Sequence, residues 1–149
     1  MKFNVTKFTK VILDIMFVSG ILIVLTLPLI LKVFGKYVDS QLLEYLWCMT
    51  FVYGICGICS LMIVWELRKM FQTVLREDCF VRSNVKSLEK MGTYSFVIAV
   101  LMVVRCFIYI TLASVAIIVV FVIAGLFSKV LAQVFDKAVT YKLENDLTI

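Results

Sequence analysis

Asp14 and Arg105 stand inside long apolar runs, and they are the first candidates for chemistry in this sequence. Asp14 interrupts the run 11–34, which also has Lys32 near its end, and Arg105 is the one charge in the run 91–127. Charged groups at membrane depth are costly to keep there, so they are functional candidates by default. Together they would suit a small-molecule efflux or immunity protein. Alternatively, each charge reaches an interface and anchors its helix.

These two charges are predicted to lie at different depths in the membrane. Asp14 comes about one helical turn after its apolar run begins, whereas Arg105 lies about 21 Å along its helix from Met91. We therefore expect no direct pair between them. The expected partners are Arg68, Lys90 or Lys129 for Asp14, and Glu44 or Asp39 for Arg105.

The cysteines offer a second kind of chemistry. Cys56 and Cys59 form a C-x-x-C motif, which in a thiol oxidoreductase exchanges disulfides with a quinone or a partner protein. Here the pair stands in the middle of an apolar run, where a thiolate is costly. Cysteine is also a small apolar residue that packs well in cores. A thiol–quinone oxidoreductase is therefore one alternative, and simple packing is the other.

The 149-residue chain contains no histidine. Its absence excludes Ser-His-Asp and Cys-His catalytic units, histidine-ligated haem and histidine-containing zinc sites. We expect a protein without enzymatic activity, and therefore no catalytic residue, cofactor or metal site.

The composition indicates an all-α membrane protein. Hydrophobic residues make up 63% of the chain and charged residues 17%, against about 25% charged in soluble domains. As one helix, the run 91–127 would be about 55 Å long, nearly twice the thickness of a bilayer core. We interpret it as two helices with a turn near Tyr109–Leu112, although one long tilted helix would leave three spans. The predicted fold is one domain, 1–149, a four-helix bundle with spans at about 11–34, 42–65, 91–109 and 112–131.

Charge favours four spans over three. Four spans place twelve basic residues on one side of the membrane, whereas three spans would export the lysines of the tail. These residues are Lys2, Lys7, Lys10, Arg68, Lys69, Arg76, Arg82, Lys86, Lys90, Lys129, Lys137 and Lys142. The positive-inside rule then predicts that both termini are cytoplasmic. The basic residues are interpreted as topology signals, and no direct contact with nucleic acid is expected.

The predicted cytoplasmic loop, 66–90, and tail, 132–149, are patterned like amphipathic helices. Span two is expected to continue about three turns beyond the membrane, and span four as a helix to about Leu143. Ser83 or Asn84 is a candidate N-cap for the helix that enters span three. The apolar faces of the loop and the tail suit packing on each other, contact with lipid headgroups, or docking of a partner.

The segment from Phe80 to Gly92 and the ending Glu144-Asn145-Asp146-Leu147-Thr148-Ile149 resemble the bacterial membrane family called domain of unknown function 2975. Cys79 departs from the resemblance, because a small or turn-forming residue is more usual there. The resemblance implies four spans and no known enzymatic activity. It also implies a partner, since members are often encoded beside a small helix-turn-helix regulator. The positions carried over are Phe80, Asn84, Leu88, Gly92, Asp146, Leu147, Thr148 and Ile149.

From these residues we expect a protein that binds or sequesters a small cytoplasmic helix-turn-helix regulator and couples an envelope signal to transcription. Phe80 is expected to insert into the cytoplasmic end of the bundle, and Gly92 to permit close helix packing. The tail is expected to pair with basic residues of the loop, to dock a partner, or to fray. A homo-oligomer is left open, and the bilayer is the other partner. The predicted partner-binding residues are Phe80, Asn84, Lys86, Asp146, Leu147, Thr148 and Ile149.

Overall fold

The computed structural model describes residues 2–38 and 40–148, and the side chains of these residues except 2–4, 41 and 42. The described chain is helical throughout and contains no strand. Four of its helices are long and apolar enough to cross a membrane, which confirms the prediction of an all-α protein with four spans. The helices are α1 (Lys2–Tyr37), α2 (Gln41–Glu44), α3 (Leu46–Leu75), α4 (Arg82–Ile108) and α5 (Leu112–Leu147).

The last long apolar run is broken where the sequence predicts it. α4 ends at Ile108, and Tyr109 takes an extended backbone conformation. Thr111 then caps α5, because its hydroxyl oxygen accepts a hydrogen bond from the Ser114 amide at 3.2 Å. Capping by a threonine satisfies one of the amides that a helix start leaves unpaired. The chain therefore reverses here, and α4 and α5 form an antiparallel pair.

Each spanning helix packs on the next one along the chain, so α1 lies on α3, α3 on α4, and α4 on α5. In the described part of the chain, no Cα atom of α1 lies within 8 Å of α4 or α5. The bundle is therefore open, with α1 and α5 as its outer helices. Their outward side chains, such as Leu25 and Ile123, are exposed. Such exposure is ordinary for a helix surrounded by lipid, since the acyl chains are as apolar as leucine.

Glycines set two of the closest approaches between helices. A Cβ atom on Gly92 of α4 would lie 3.1 Å from the carbonyl oxygen of Gly125 on α5, which confirms the expected close packing at Gly92. A Cβ atom on Gly57 of α3 would lie 2.7 Å from Cγ2 of Val24 on α1. Small residues at such positions let helix backbones approach closely in lipid.

The bundle has two ends with different character. We call one the loop end; it holds the connection 76–81, the start of α1 and the end of α5. The other, the turn end, holds the connections 38–45 and 109–111. α3 continues to Leu75, as expected, but α5 continues as a helix to Leu147, about one turn beyond the predicted end at Leu143. The residues from 141 to 147 include no glycine or proline, so nothing in them breaks the helix.

Candidate functional site

The loop end begins with a tight reversal after α3. Glu77 has a φ of 61°, a left-handed conformation. Its amide donates to the carbonyl of Val74 at 3.1 Å, and the amide of Asp78 donates to the carbonyl of Thr73 at 3.2 Å. This is a Schellman motif, in which glycine usually takes the left-handed position. A residue with a side chain costs about 1–2 kcal/mol more than glycine there. The reversal of the chain at Glu77 therefore forms despite an unfavourable local conformation.

Asn84 holds this reversal in place. Its side chain is 2% exposed, and its amide nitrogen donates to the Thr73 hydroxyl and to the Cys79 carbonyl, each at 2.7 Å. The prediction that Ser83 or Asn84 caps α4 is wrong, because α4 follows Val81 and has no side-chain cap. Since the buried amide is committed to α3 and the loop, Asn84 positions the loop instead of meeting a partner.

A buried carboxylate joins α3 to α4 just below the loop. Glu66 is 2% exposed, and one of its oxygens accepts a hydrogen bond from the Ser87 hydroxyl at 2.7 Å. Its other oxygen lies 3.2 Å from the Lys69 ammonium and 3.7 Å from that of Lys90. A buried carboxylate needs such partners, since losing water without them costs several kcal/mol. The sequence analysis missed this cluster; its signal was an acidic residue on the inward face of α3.

Ion pairs then attach α5 to the loop. The Lys142 ammonium donates to the Asp78 carboxylate at 2.8 Å. Arg82, the first residue of α4, pairs with Asp136 and donates to the Thr140 hydroxyl at 3.4 Å. Exposed pairs of this kind contribute only about 0–1 kcal/mol each. Their effect here is geometric, because they fix the direction of α5 relative to the loop.

The predicted partner-binding residues are distributed unevenly over the loop end. Phe80 is 48% exposed, and its ring centre lies 5.5 Å from that of Phe135. The expectation that it inserts into the bundle is wrong, because it lies on the surface beside α5. Lys86 and the tail residues Asp146, Leu147 and Thr148 are exposed, and Ile149 lies outside the described residues. Apart from buried Asn84, the described members of the set are accessible.

The end of α5 carries an apolar face with no neighbouring helix. Leu143 and Leu147 are four residues apart, and they follow Thr140 on one side of the helix. That side contacts Arg82 at Thr140, but α4 begins at Arg82 and extends no further. Leu143 is therefore 50% exposed and Leu147 87% exposed.

The two intramembrane charges lie at opposite ends of the bundle, as expected. Asp14 accepts a hydrogen bond from the Arg68 side chain at 2.6 Å, which confirms one of its three predicted pairings. The guanidinium of Arg68 also lies 4.8 Å from the ring centre of Phe17 and 5.4 Å from that of Trp65. This cluster pins α1 to α3 near the loop end.

Arg105 lies at the turn end, in the last turn of α4. The prediction of Glu44 as its partner is wrong, because Glu44 is exposed and its carboxylate is not within ion-pair distance; Asp39 lies outside the described residues. The guanidinium instead donates to the hydroxyls of Thr111, at 3.1 Å, and Ser114. The charge therefore meets the hydroxyls at the start of α5.

The C-x-x-C pair lies within the packed interior of α3. Cys56 is buried against Val52, Ile98 and Met102, and Cys59 packs on the edge of the same cluster. All five cysteines of the chain are free thiols. The surroundings are those of a packing residue, and the thiol–quinone interpretation stays a prediction. Among the described residues, no group of three or more histidine, cysteine, aspartate or glutamate residues could hold a metal ion.

Comparison with known proteins gives one match. A family model described as protein of unknown function (DUF2975) matches residues 36–149, which include α2 to α5 and the parts of the loop end that α3, α4, α5 and the connection 76–81 supply. α1 precedes the match, apart from its last two residues. Neither a curated protein nor a solved structure matches the chain.

Proposed function

The chain belongs to the DUF2975 family of proteins of unknown function, and from that premise we propose that this multi-pass membrane protein binds a small cytoplasmic helix-turn-helix regulator. Binding takes place at the loop end and holds the regulator at the membrane, away from DNA. The observation that carries the proposal is the exposed pair Leu143 and Leu147 at the end of α5.

The length of α5 supports a role for this pair outside the bilayer core. The helix has 36 residues, which corresponds to about 54 Å, whereas the apolar core of a bilayer is about 30 Å thick. Its last turns therefore extend well beyond the lipid tails. An apolar face that is exposed outside the core is a candidate contact for another protein, and an amphipathic helix of a partner would cover it at helical spacing.

The charges around this face indicate what kind of partner fits. Glu144 and Asp146 are exposed beside the two leucines. A DNA-binding protein carries a basic surface, and acidic residues opposite that surface would steer and orient it. A regulator that places its basic side against α5 cannot contact DNA with the same surface. The proposed complex is therefore one of sequestration.

The orientation required by the proposal follows from charge. The twelve basic residues on the loop-end side of the chain favour a cytoplasmic loop end in a bacterial inner membrane. A regulator in the cytoplasm would then meet Leu143 and Leu147 directly. A signal from the envelope would release it only if that signal favoured a helix arrangement with lower affinity for the regulator.

The test is purification of the tagged full-length protein from its native host in a mild detergent, with bound proteins identified by mass spectrometry. We expect a small helix-turn-helix protein to accompany the wild-type chain. The Leu147→Asp substitution should remove it, because a carboxylate would then face the apolar contact. Since Leu147 is almost fully exposed, the membrane protein itself should remain at normal abundance.

The matched control is Asn145→Asp, which adds the same charge on a different side of the same helical turn. Asn145 is exposed, and this variant should retain the regulator. The proposal fails if no helix-turn-helix protein accompanies the wild type, or if both variants release it equally.

A further inference from the structure

A cavity of about 420 Å³ lies at the turn end, remote from the loop end. α1 contributes Leu27, Leu31 and Phe34 to its wall, α3 contributes Tyr53, and the α4–α5 connection contributes Tyr109 and Thr111. Among the described residues of the wall, Arg105 is the one that carries a charge. Its volume is within the range of small-molecule pockets. The cavity therefore combines an apolar enclosure with a single cation.

The charge of Arg105 lacks a counter-ion among the described residues. Its side chain is 3% exposed, and its hydrogen-bonding partners are the hydroxyls of Thr111 and Ser114. Hydroxyl groups are dipoles and leave the net charge in place. Within the described part of the chain no carboxylate is within 4 Å of the guanidinium, and its buried Nε has no acceptor.

Other local features reduce the cost of this charge without neutralising it. The guanidinium lies 5.4 Å from the ring centre of Tyr53 and 5.7 Å from that of Tyr109. Contacts with ring faces stabilise a cation more strongly when it is desolvated. The carboxyl-terminal end of α4 adds a favourable dipole. Burial of an ion without a counter-ion remains unfavourable. An anion in the cavity would therefore remove the larger part of the free-energy cost of burying Arg105.

We propose that this cavity binds an anionic amphiphile, whose carboxylate or phosphate group contacts Arg105 and whose apolar part lies against Leu27 and Phe34. Arginine suits this role because its planar donors match the oxygens of carboxylates and phosphates. The ligand comes either from the membrane, as an anionic phospholipid, or from outside it, as a free long-chain acid. Both sources have the same chemistry at Arg105.

A bound amphiphile would also connect α1 to α4. α1 reaches the other spanning helices through α3 alone in the described chain, yet it supplies Leu27, Leu31 and Phe34 to the cavity wall. A ligand seated there would contact α1 and Arg105 of α4 together. Binding should therefore raise the thermal stability of the whole protein, because a ligand that binds only the folded state stabilises that state.

The experiment uses the full-length protein purified in a neutral detergent and depleted of lipid. Its thermal unfolding midpoint is measured during titration with phosphatidylglycerol or the uncharged diacylglycerol of the same acyl chains, which lacks the phosphate, and with palmitate or hexadecanol. We expect the anionic member of at least one pair to raise the midpoint and its neutral counterpart to have no effect. Stabilisation by phosphatidylglycerol alone identifies a lipid headgroup as the ligand, and stabilisation by palmitate alone identifies a free acid.

Two variants locate the site. Arg105→Met should weaken binding of the anionic ligand roughly tenfold or more, the equivalent of losing hydrogen bonds to a charged group. Leu27→Trp fills the cavity without touching the charge and should weaken binding similarly, which protects the test against misfolding of the first variant. The matched control, Leu25→Trp, changes an exposed leucine of the same helix and should leave affinity within about twofold.

Three results would overturn the proposal. The first is equal stabilisation by charged and neutral members of both pairs, or by neither member. The second is an unchanged affinity in both the Arg105→Met and Leu27→Trp variants. The third is binding that occurs only in an Asp39→Asn variant. That result would mean that Asp39 neutralises Arg105 in the wild-type chain.

Discussion

Asn84 shows how a single amide can determine the shape of a loop. Its two donated bonds, to Thr73 of α3 and to the Cys79 carbonyl, join the end of one helix to the chain that leads into the next. Asn84 is buried and both of its partners are half-buried, so water can replace the lost donor only in part when the amide is removed. A buried acceptor left without its donor costs about 1–3 kcal/mol.

We therefore predict that Asn84→Ala lowers the free energy of unfolding by about 1–3 kcal/mol. The measurement is denaturant-induced unfolding of the purified protein in detergent micelles, followed by circular dichroism. Ser83→Ala is the control, because Ser83 is the exposed neighbour, and its effect should stay within about 0.5 kcal/mol. Equal losses in the two variants would show that the Asn84 bonds contribute nothing specific.

At the residue scale, the Asp14–Arg68 ion pair matters more for where it holds Asp14 than for the free energy of folding that it contributes. The Asp14–Arg68 pair is partly exposed, and pairs of that kind contribute about 0–1 kcal/mol. The two rings beside Arg68 restrict where its guanidinium can lie. Asp14 is thereby held at the α1–α3 interface.

At the scale of helices, the two glycines of α3 differ in how closely they approach α1. Gly57 faces Val24 closely, whereas a Cβ atom on Gly54 would meet nothing within 4 Å. Valine is stiff in a helix, so Val24 cannot easily rotate away from an added methyl group. The two glycines therefore differ in their surroundings while sharing one helix.

We predict that Gly57→Ala makes the protein less stable than Gly54→Ala by about 1–3 kcal/mol, the usual cost of overpacking. Both variants gain about 1 kcal/mol of helix propensity, so this gain cancels in the difference. Thermal unfolding of the two purified variants, side by side in the same detergent, provides the comparison. If Gly54→Ala proved as destabilising as Gly57→Ala, the close approach at Val24 would carry no energetic weight.

At the scale of the whole molecule, the four spans leave the loop end and the turn end on opposite sides of the membrane. The loop end carries most of the basic residues, so the positive-inside rule predicts that it faces the cytoplasm. The proposed regulator contact would then face the cytoplasm, and the Arg105 cavity would lie toward the outer side. The two proposals thus concern separate compartments and can be tested independently.

We predict that Ser40→Cys reacts with a membrane-impermeant maleimide in intact cells, whereas Ser83→Cys reacts only after permeabilisation. Both substitutions are made in a chain whose five native cysteines are replaced by alanine. Ser40 and Ser83 are exposed at the turn end and the loop end, respectively, so access to the reagent alone decides labelling. The reverse pattern would invert the topology and remove the basis for a cytoplasmic partner.

Much of this architecture was predictable from features that run along the chain. Bilayer thickness and helical rise are fixed lengths, so they favour two helices in the apolar run 91–127. They predict the turn at Tyr109–Leu112, whereas the extension of α3 to Leu75 is predicted by its helical spacing of apolar residues. Gly92 was predicted as a close contact because a small residue stands where a helix enters the apolar span.

The pairings at the candidate sites depended instead on how the helices rotate and pack. A span that is apolar on every side carries no pattern showing which face meets which neighbour. The sequence therefore offers Asp14 three partners, of which Arg68 is the one observed. It favours an acidic partner such as Glu44 for Arg105, which contacts Thr111 and Ser114 instead. It predicts Phe80 inside the bundle, whereas Phe80 lies on the surface. Contacts between distant segments form only when the packed structure brings them together, and no local spacing encodes them.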